Sequence, residues 1–204
     1  MSQGRVKIID YGVGNLRSVE QAFVHEGIDA TFVSTAEEIS CAERLVLPGV
    51  GAFGDGMAEL HKRGLVSAIK DYATSGRPFL GICLGMQLMF DSSEESVGVQ
   101  GLGIFHGTAT KFDTAPGMKV PQIGWNCLRV TPGSRLLSGC DENFVYFVHS
   151  YHVRPIDSSD IAARSDYSCE FVAAVERGSV GGCQFHPEKS QNTGLRIMRN
   201  FLLF

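Results

Sequence analysis

Short apolar runs alternate with helical patterns through roughly the first ninety residues of the chain. Leu16, Val19 and Phe23 recur at the spacing of one helix face, and a longer helical stretch reaches about Ser75 with a break near Gly64. Near-continuous apolar strands that alternate with helices indicate a parallel sheet covered on both faces. The runs that predict strands are Val6 to Asp10, Thr31 to Val33, Arg44 to Leu47 and Phe79 to Ile82.

The pattern changes in the second half of the chain, from Gly101 to Gln184. Segments rich in β-formers, such as Phe144 to Val148 and Phe171 to Val175, are bounded there by Gly, Pro, Asp and Asn. Such segments are typical of short strands separated by turns. We interpret this half as mixed or antiparallel strands added to the same sheet.

The end of the chain returns to a helical pattern, in which Leu195, Met198 and Leu202 are spaced to pack back on the core. The chain has 204 residues and shows no linker, internal repeat or low-complexity segment. We therefore expect one domain over residues 1–204. Its expected fold class is α/β, with a central, mostly parallel but mixed sheet flanked by helices.

Composition and charge exclude several functional classes. Apolar residues make up 44% of the chain and charged residues 20%, as in ordinary globular proteins. A net charge of -4 without a basic run argues against a nucleic-acid surface. The chain has neither an apolar leader nor an apolar run of about 18 residues, so we expect a cytoplasmic protein that does not contact the membrane. The six cysteines form no C-x-x-C pair, so no zinc site, other metal centre or disulfide framework is expected.

The sharpest chemical motif is Gly81-Ile82-Cys83-Leu84-Gly85, which joins the last predicted strand of the first half to a helical pattern. The arrangement G-x-nucleophile-x-G marks a sharp strand-to-helix turn, in which the flanking glycines avoid steric clashes. A helix N-terminus favours the thiolate form of a cysteine, and the backbone N–H of Leu84 can donate to a developing oxyanion. The alternative is a buried structural cysteine, which is the commoner fate of an isolated cysteine.

A base for this thiol is offered by His186 in the string QFHPE, just after another strand-like run. Glu188 lies two residues further on, so in an extended segment its carboxylate can reach the same side and orient the imidazole. The alternative is a histidine that is simply a satisfied polar residue at a strand end. Together with Cys83, these residues form a predicted nucleophile, base and orienting acid at the ends of two strands of one sheet.

A third loop at the same predicted edge is Leu47-Pro48-Gly49-Val50-Gly51. Its glycines allow the backbone to approach a ligand closely, so an N–H of Val50 or Gly51 can serve as the second oxyanion donor opposite Leu84. The alternatives are a phosphate loop or a plain turn. A phosphate loop is disfavoured because no Gly-Lys-Ser or Gly-Lys-Thr follows.

Five strings, in this order along the chain, resemble the glutaminase subunits of imidazole glycerol phosphate synthase: PGVGAF, GICLGMQLMF, VPQIGWN, FVHSYHV and QFHPEKS. These subunits are triad-type (class I) glutamine amidotransferases with a flavodoxin-like fold, and the resemblance covers essentially the whole chain. GICLGMQ and HPE are shared across triad amidotransferases, whereas PGVG, GWN and HSYHV narrow the resemblance to the histidine-biosynthesis branch. Gln122 departs from the pattern, because histidine is frequent at its position.

The resemblance implies a catalytic triad of Cys83, His186 and Glu188. It also implies that Gly51 and Gln87 contact the glutamine substrate, with Glu95 and the segment His149-Ser150-Tyr151 at its α-amino and α-carboxylate ends. From the residues alone, Glu95 is equally well a solvated loop charge, and Ser150 and Tyr151 are equally well ordinary strand-end residues. The resemblance therefore supplies most of the substrate-binding set.

The resemblance further implies a partner, a (β/α)8-barrel cyclase subunit that receives ammonia and forms a heterodimer with the glutaminase. Gln122, Trp125 and Asn126 are expected at the docking face, with Trp125 near the ammonia exit. From its residue type alone, Trp125 can instead be a core aromatic. The expected reaction is hydrolysis of glutamine through a cysteine thioester, with no metal or organic cofactor.

Two other functions remain open from the sequence. The chain can be a triad amidotransferase or γ-glutamyl hydrolase that serves another pathway, including a paralogue that aminates a surface sugar. It can also be a non-catalytic interaction module on the same fold, although the intact Cys, His and Glu set disfavours this. Release of glutamate from glutamine distinguishes the enzymes from the module.

Overall fold

The computed structural model describes residues 5–113 and 119–204. The α-helices formed by these residues are α1 (Leu16–His25), α2 (Ala36–Ser40), α3 (Phe53–Lys62), α4 (Val66–Ala73), α5 (Leu84–Leu88) and α6 (Gln191–Phe201), and short 3₁₀ helices lie at Ser158–Asp160 and Pro187–Lys189. The strands are β1 (Arg5–Ile9), β2 (Asp29–Val33), β3 (Leu45–Leu47), β4 (Phe79–Ile82), β5 (Ser92–Ser93), β6 (Gly107–Lys111), β7 (Gln122–Cys127), β8 (Arg129–Val130), β9 (Phe144–His149), β10 (Tyr151–Pro155), β11 (Ile161–Tyr167), β12 (Cys169–Arg177) and β13 (Val180–Cys183).

The central sheet has eight strands in the order β2-β1-β3-β4-β13-β12-β11-β8. The five strands from β2 to β13 pair in parallel, and β12, β11 and β8 extend the sheet in antiparallel fashion. This confirms the predicted α/β class and its mostly parallel, mixed sheet. The predicted strand Phe79 to Ile82 coincides with β4, and the predicted break near Gly64 separates α3 from α4.

The prediction that strands of the second half join the central sheet is confirmed for β8, β11, β12 and β13, but it is wrong for the others. Strands β10, β6 and β5 form a separate three-stranded sheet, and β7 pairs with β9 as a two-stranded ribbon. Both strands of the ribbon are buried on one face only: Val145 and Phe147 are inside, whereas Phe144 is exposed. Such a ribbon packs on the core through one face, and its other face remains in solvent.

The core lies on both faces of the central sheet. One cluster packs under α1 and α6, and the other packs under α3, α4 and α5. Helix α6 buries Gly194, Ile197, Met198 and Phe201, whereas the predicted Leu195 and Leu202 are only half-buried at its border. The prediction that Leu195, Met198 and Leu202 pack on the core is confirmed: Met198 is fully buried, and the two leucines lie against the same core cluster.

The parallel strands β3, β4 and β13 are neighbours, so their carboxyl ends meet at one edge of the sheet. The segments that follow them are 48–51, the turn at Cys83 and the run from Gln184 to Glu188. Ligands of open α/β sheets bind outside the carboxyl ends of the strands. The fold therefore gathers the three sequence motifs at the edge where a site is expected.

Candidate active site

A cavity of about 230 Å³ opens at this edge of the sheet. Its walls include Pro121 and Val148 and ten residues that the sequence analysis singled out: Val50, Gly51, Cys83, Leu84, Gln87, Glu95, His149, Ser150, Tyr151 and His186. A larger and more open depression, of about 680 Å³, lies over the segment from Val130 to Asp141 and contains none of them. The smaller cavity is the candidate active site because the predicted nucleophile, Cys83, and the predicted base, His186, share its wall.

Cys83 occupies a strained turn between β4 and α5. Its φ of 54° and ψ of -111° lie outside the regions that side-chain-bearing residues normally adopt, and such conformations cost on the order of 1–3 kcal/mol. The flanking glycines permit the turn, because a Cβ on Gly81 would lie 2.8 Å from the Met86 nitrogen and one on Gly85 would lie 1.8 Å from the Leu47 oxygen. The Cys83 N–H is anchored to the carbonyl of Cys183, at 2.7 Å.

His186 and Glu188 form a buried pair behind the cavity. His186 Nδ1 lies 2.8 Å from a Glu188 carboxylate oxygen, and the two side chains are 3% and 1% exposed. Burial acts to lower the pKa of His186, but the nearby Cys83 and Glu188 side chains outweigh it and raise this pKa to about 10. His186 Nε2 is buried and makes no hydrogen bond with the described residues. The ring is therefore held by Glu188 from one side, in an environment that favours the imidazolium.

The loop after β3 lies directly against the strand-to-helix turn at Cys83. The Leu84 N–H donates to the Gly49 carbonyl, with 3.3 Å between nitrogen and oxygen. Tyr11, whose buried hydroxyl has a raised pKa, donates to the Pro48 carbonyl at 2.9 Å. Gly51 has a φ of +98°, a conformation that favours glycine. The structure thus brings all predicted oxyanion donors to the cavity, with one of them engaged by the opposite loop.

A residue that the sequence analysis missed, Gln184, reaches the nucleophile. Gln184 is fully buried, and its side-chain nitrogen lies 3.8 Å from the Cys83 sulfur. Gln87 Nε2 donates to Gln184 Oε1 at 2.9 Å and to the carbonyl of Tyr151 at 3.0 Å. The signal that identifies Gln184 is its position two residues before His186, which in extended backbone places both side chains on one side.

Glu95 and His149 are both tied to neighbouring backbone. One Glu95 carboxylate oxygen accepts from the Phe53 N–H at 2.7 Å, at the start of α3. Burial lowers the pKa of His149 to about 3, so this histidine is neutral, and its Nδ1 must carry the proton donated to the Tyr151 carbonyl at 2.8 Å. The buried Nε2 of His149 has no partner among the described residues and is left as an acceptor.

The predicted interface residues lie on the β7–β9 ribbon. Trp125 is 43% exposed and packs edge-on against Tyr146, which excludes the core-aromatic alternative. Gln122 is only 1% exposed and donates to Asn126, which in turn donates to the Asp166 carbonyl. The Gln122 side chain therefore points into the protein and, unlike Trp125, offers almost no surface to a partner, whereas its place at the interface stays a prediction.

The described residues also bear on metal chemistry and on membrane insertion. Within 5–113 and 119–204, no group of three or more His, Cys, Asp or Glu side chains is placed to hold a metal ion. No helix formed by the same residues is long and apolar enough to span a membrane.

Comparison with known proteins identifies the family. Residues 7–203 match the family described as glutamine amidotransferase class-I. The chain is 48% identical to imidazole glycerol phosphate synthase subunit HisH of Rhodopirellula baltica, with 96% of each chain covered. It is 45% identical to the chloroplastic imidazole glycerol phosphate synthase hisHF of Arabidopsis thaliana, covering 98% of this chain and 34% of that longer protein.

A solved glutamine amidotransferase has the same fold. It superposes with a TM-score of 0.77 over 97% of both chains, at 20% sequence identity. The sequence match spans nearly the whole chain, and the fold agrees with it. The chain belongs to the class-I glutamine amidotransferase family.

Proposed function

We propose that the chain is the glutaminase subunit of an imidazole glycerol phosphate synthase, and that residues 1–204 form one class I amidotransferase domain. It hydrolyses glutamine to glutamate and ammonia, and the ammonia is used in histidine biosynthesis. The observation that supports this most strongly is that Cys83 and His186 share the wall of one small cavity, while Glu188 pairs with His186 behind it. The close relatives named HisH and hisHF support the pathway.

In the proposed reaction, the Cys83 thiolate attacks the carboxamide carbon of glutamine, and the oxyanion is held by backbone N–H groups of Val50, Gly51 or Leu84. His186 gives its proton to the departing ammonia, which leaves a γ-glutamyl thioester. Water that His186 deprotonates then attacks the thioester, and the C–S bond breaks; this step releases glutamate and restores the Cys83 thiolate beside a protonated His186. Glu188 holds the imidazole and stabilises its charged form.

The substrate ends are assigned to the other wall of the cavity. Glu95 uses one carboxylate oxygen on the Phe53 N–H, so the other remains for the α-ammonium group. Both hydrogens of Gln87 Nε2 are engaged, which leaves its Oε1 for the substrate. Gly51, His149, Ser150 and Tyr151 complete the proposed glutamine contacts. No metal or organic cofactor takes part in these steps.

The proposed partner is the (β/α)8-barrel cyclase, with which the chain forms a heterodimer in the cytoplasm. Trp125, Ile123 and Phe144 lie on one face of the β7–β9 ribbon and are exposed, which suits a docking surface. Asn126 neighbours them on β7. The hisHF protein supports the pairing, because this chain matches only 34% of that protein and the remainder can supply a second subunit.

The test mixes this chain with the barrel subunit from the same organism and measures both glutamate release and imidazole glycerol phosphate formation. We expect both products from glutamine, and loss of the second product when the barrel is omitted. Glutamate release without imidazole glycerol phosphate would show an amidotransferase that serves another pathway. Absence of glutamate under all conditions would show a non-catalytic module.

A further inference from the structure

Four groups form a continuous chain of hydrogen bonds that ends on the nucleophile. His149 Nδ1–H and Gln87 Nε2–H both donate to the Tyr151 carbonyl, at 2.8 Å and 3.0 Å. Gln87 Nε2–H also donates to Gln184 Oε1 at 2.9 Å, and Gln184 Nε2 lies 3.8 Å from the Cys83 sulfur. Gln87 and Gln184 are 5% and 0% exposed, so water does not compete for these bonds.

The direction of every bond in this chain is fixed by the Tyr151 carbonyl. A carbonyl oxygen can only accept, so the amide nitrogen of Gln87, and not its oxygen, faces Tyr151. The second hydrogen of the same nitrogen points at Gln184 and requires an oxygen there. The Gln184 nitrogen must then face Cys83, since the reverse orientation would place two donors against each other. The Gln184 N–H is thus aimed at the sulfur by the protein itself.

We propose that Gln184 is a catalytic residue that donates a hydrogen bond to the Cys83 thiolate, and that Gln87 orients it as a relay from the Tyr151 carbonyl. The proposal rests on the proposed thiolate chemistry of Cys83. An N–H donor favours the charged sulfur over the neutral thiol, because hydrogen bonds to ionised acceptors are the stronger ones. Gln184 adds no charge, so it supports the thiolate without competing with the imidazolium of His186.

Alkylation of Cys83 by iodoacetamide provides a readout that requires neither glutamine nor a partner. Its rate follows the thiolate fraction, and peptide mass spectrometry assigns the modified cysteine. The titratable side chains around Cys83 are His186 with Glu188, Tyr11 from the end of β1, Cys183 from β13, and Glu95 and His149 in the wall of the same cavity. Gln184→Met and Gln87→Met leave these groups unchanged and add no charge, so a shift of their rate–pH curves reports on the amide chain.

Three variants of the full chain are compared with the wild type. Gln184→Met keeps the side-chain size but removes the donor, and it is expected to move the midpoint of the rate–pH curve upward by about one unit, the equivalent of a tenfold change. Gln184→Glu replaces the donor with a carboxylate and is expected to move the midpoint further upward. Gln87→Met, which removes the relay, is expected to move it in the same direction by less.

The control is Ser165→Ala, which removes the hydrogen bond of another fully buried side chain, to the Cys127 carbonyl, outside the cavity. It should leave the midpoint where the wild type has it. A folded Gln184→Met protein with the wild-type midpoint would overturn the proposal. If thermal unfolding shows that this variant does not fold, a wild-type midpoint in Gln87→Met would overturn it. A shifted midpoint in a chain that releases no glutamate would refute the proposed function and leave this inference standing.

Discussion

The Leu84 N–H donates a hydrogen bond to the carbonyl oxygen of Gly49, across a nitrogen–oxygen distance of 3.3 Å. Leu84 follows the proposed nucleophile directly, and its N–H is a proposed oxyanion donor. In this structure the Leu84 N–H is engaged by the loop 48–51. The same loop carries the other proposed oxyanion donors, the N–H groups of Val50 and Gly51. The bond is long, so a modest rotation of the loop backbone is enough to release it.

We therefore expect the isolated chain to be a poor glutaminase and the ligand-loaded barrel subunit to activate it. Each oxyanion donor that is withheld costs about 10²- to 10³-fold in rate, so one peptide rotation in the segment 48–51 can gate turnover. The measurement is glutamate release by the chain alone, with the barrel, and with the barrel plus its ligand. Full activity of the isolated chain, unchanged by any partner, would refute gating and favour a free-standing hydrolase.

Trp125→Ala is expected to reduce the activation produced by the barrel. The indole is 43% exposed on the ribbon, and truncating an aromatic anchor at the centre of an interface commonly costs about 2 kcal/mol or more. Val24→Ala is the matched control, because Val24 is 56% exposed on α1 and belongs to no proposed interface. Titration of the barrel against glutamate release separates weaker docking from slower turnover. Equal titration curves for both variants would exclude Trp125 from the docking surface.

Glu188→Gln is expected to impair turnover less than His186→Ala does. A neutral amide can still hold the imidazole at the 2.8 Å position, although it stabilises the charged ring poorly. Removal of the base costs about 10²- to 10⁴-fold in rate. Steady-state glutamate release by the two variants in the complex provides the comparison. Near-wild-type activity in both would mean that these residues are not a triad.

The protein is expected to lose stability in acid because of two buried histidines. Burial lowers the pKa of His149 to about 3 and that of His152 to about 4, against 6.5 for an ordinary histidine. Below pH 6.5 the unfolded chain therefore binds protons that the folded chain does not, and stability falls as the pH approaches 4. As the pH falls below 6.5 in this window, each histidine lowers the free energy of unfolding by about 1.4 kcal/mol per pH unit. Well above pH 6.5 both histidines are neutral in the folded and the unfolded chain, so this loss is absent.

His152→Gln tests this account, because it removes one of the two histidines and should reduce the acid slope by about half of their joint contribution. His25→Gln is the control, since His25 is exposed at the end of α1. Urea unfolding between about pH 4 and 7 gives the free energy of unfolding at each pH. Parallel curves for wild type and His152→Gln would contradict the assignment of His152 as a buried neutral group.

The sequence predicts the central sheet better than the rest of the fold because buried parallel strands are visible as uninterrupted apolar runs. Strand β4 begins and ends where the run Phe79 to Ile82 predicts. The β7–β9 ribbon was missed because a half-buried strand does not reveal its pairing partner. Helix α2 was also missed: it has only five residues, and its clearest signal is the capping box between Thr35 and Glu38.

The same division holds for the site. Cys83, His186 and Glu188 were proposed from their motifs. Glu188 was expected to reach His186 in extended backbone, but Pro187–Lys189 forms a short 3₁₀ turn, and the two side chains meet across that turn. Gln184, which directly follows β13, was missed because its two-residue spacing from His186 is a weak signal by itself, and only the folded chain shows its contact with sulfur. Gln122 was assigned to the interface by its position in a motif. Whether its side chain is buried depends on which face of β7 packs inward, and the sequence of the motif does not determine this.

The central claim is that Cys83 is the nucleophile of a glutaminase. It is tested most directly by treating the wild type, Cys83→Ala and the complex with a glutamine-like electrophile, then locating the label by peptide mass spectrometry and measuring glutamate release. We predict a single label on Cys83, and no label or glutamate release in Cys83→Ala, which should still fold and bind the barrel. A label on Cys183 or any other cysteine, or glutamate release by Cys83→Ala, would contradict the account.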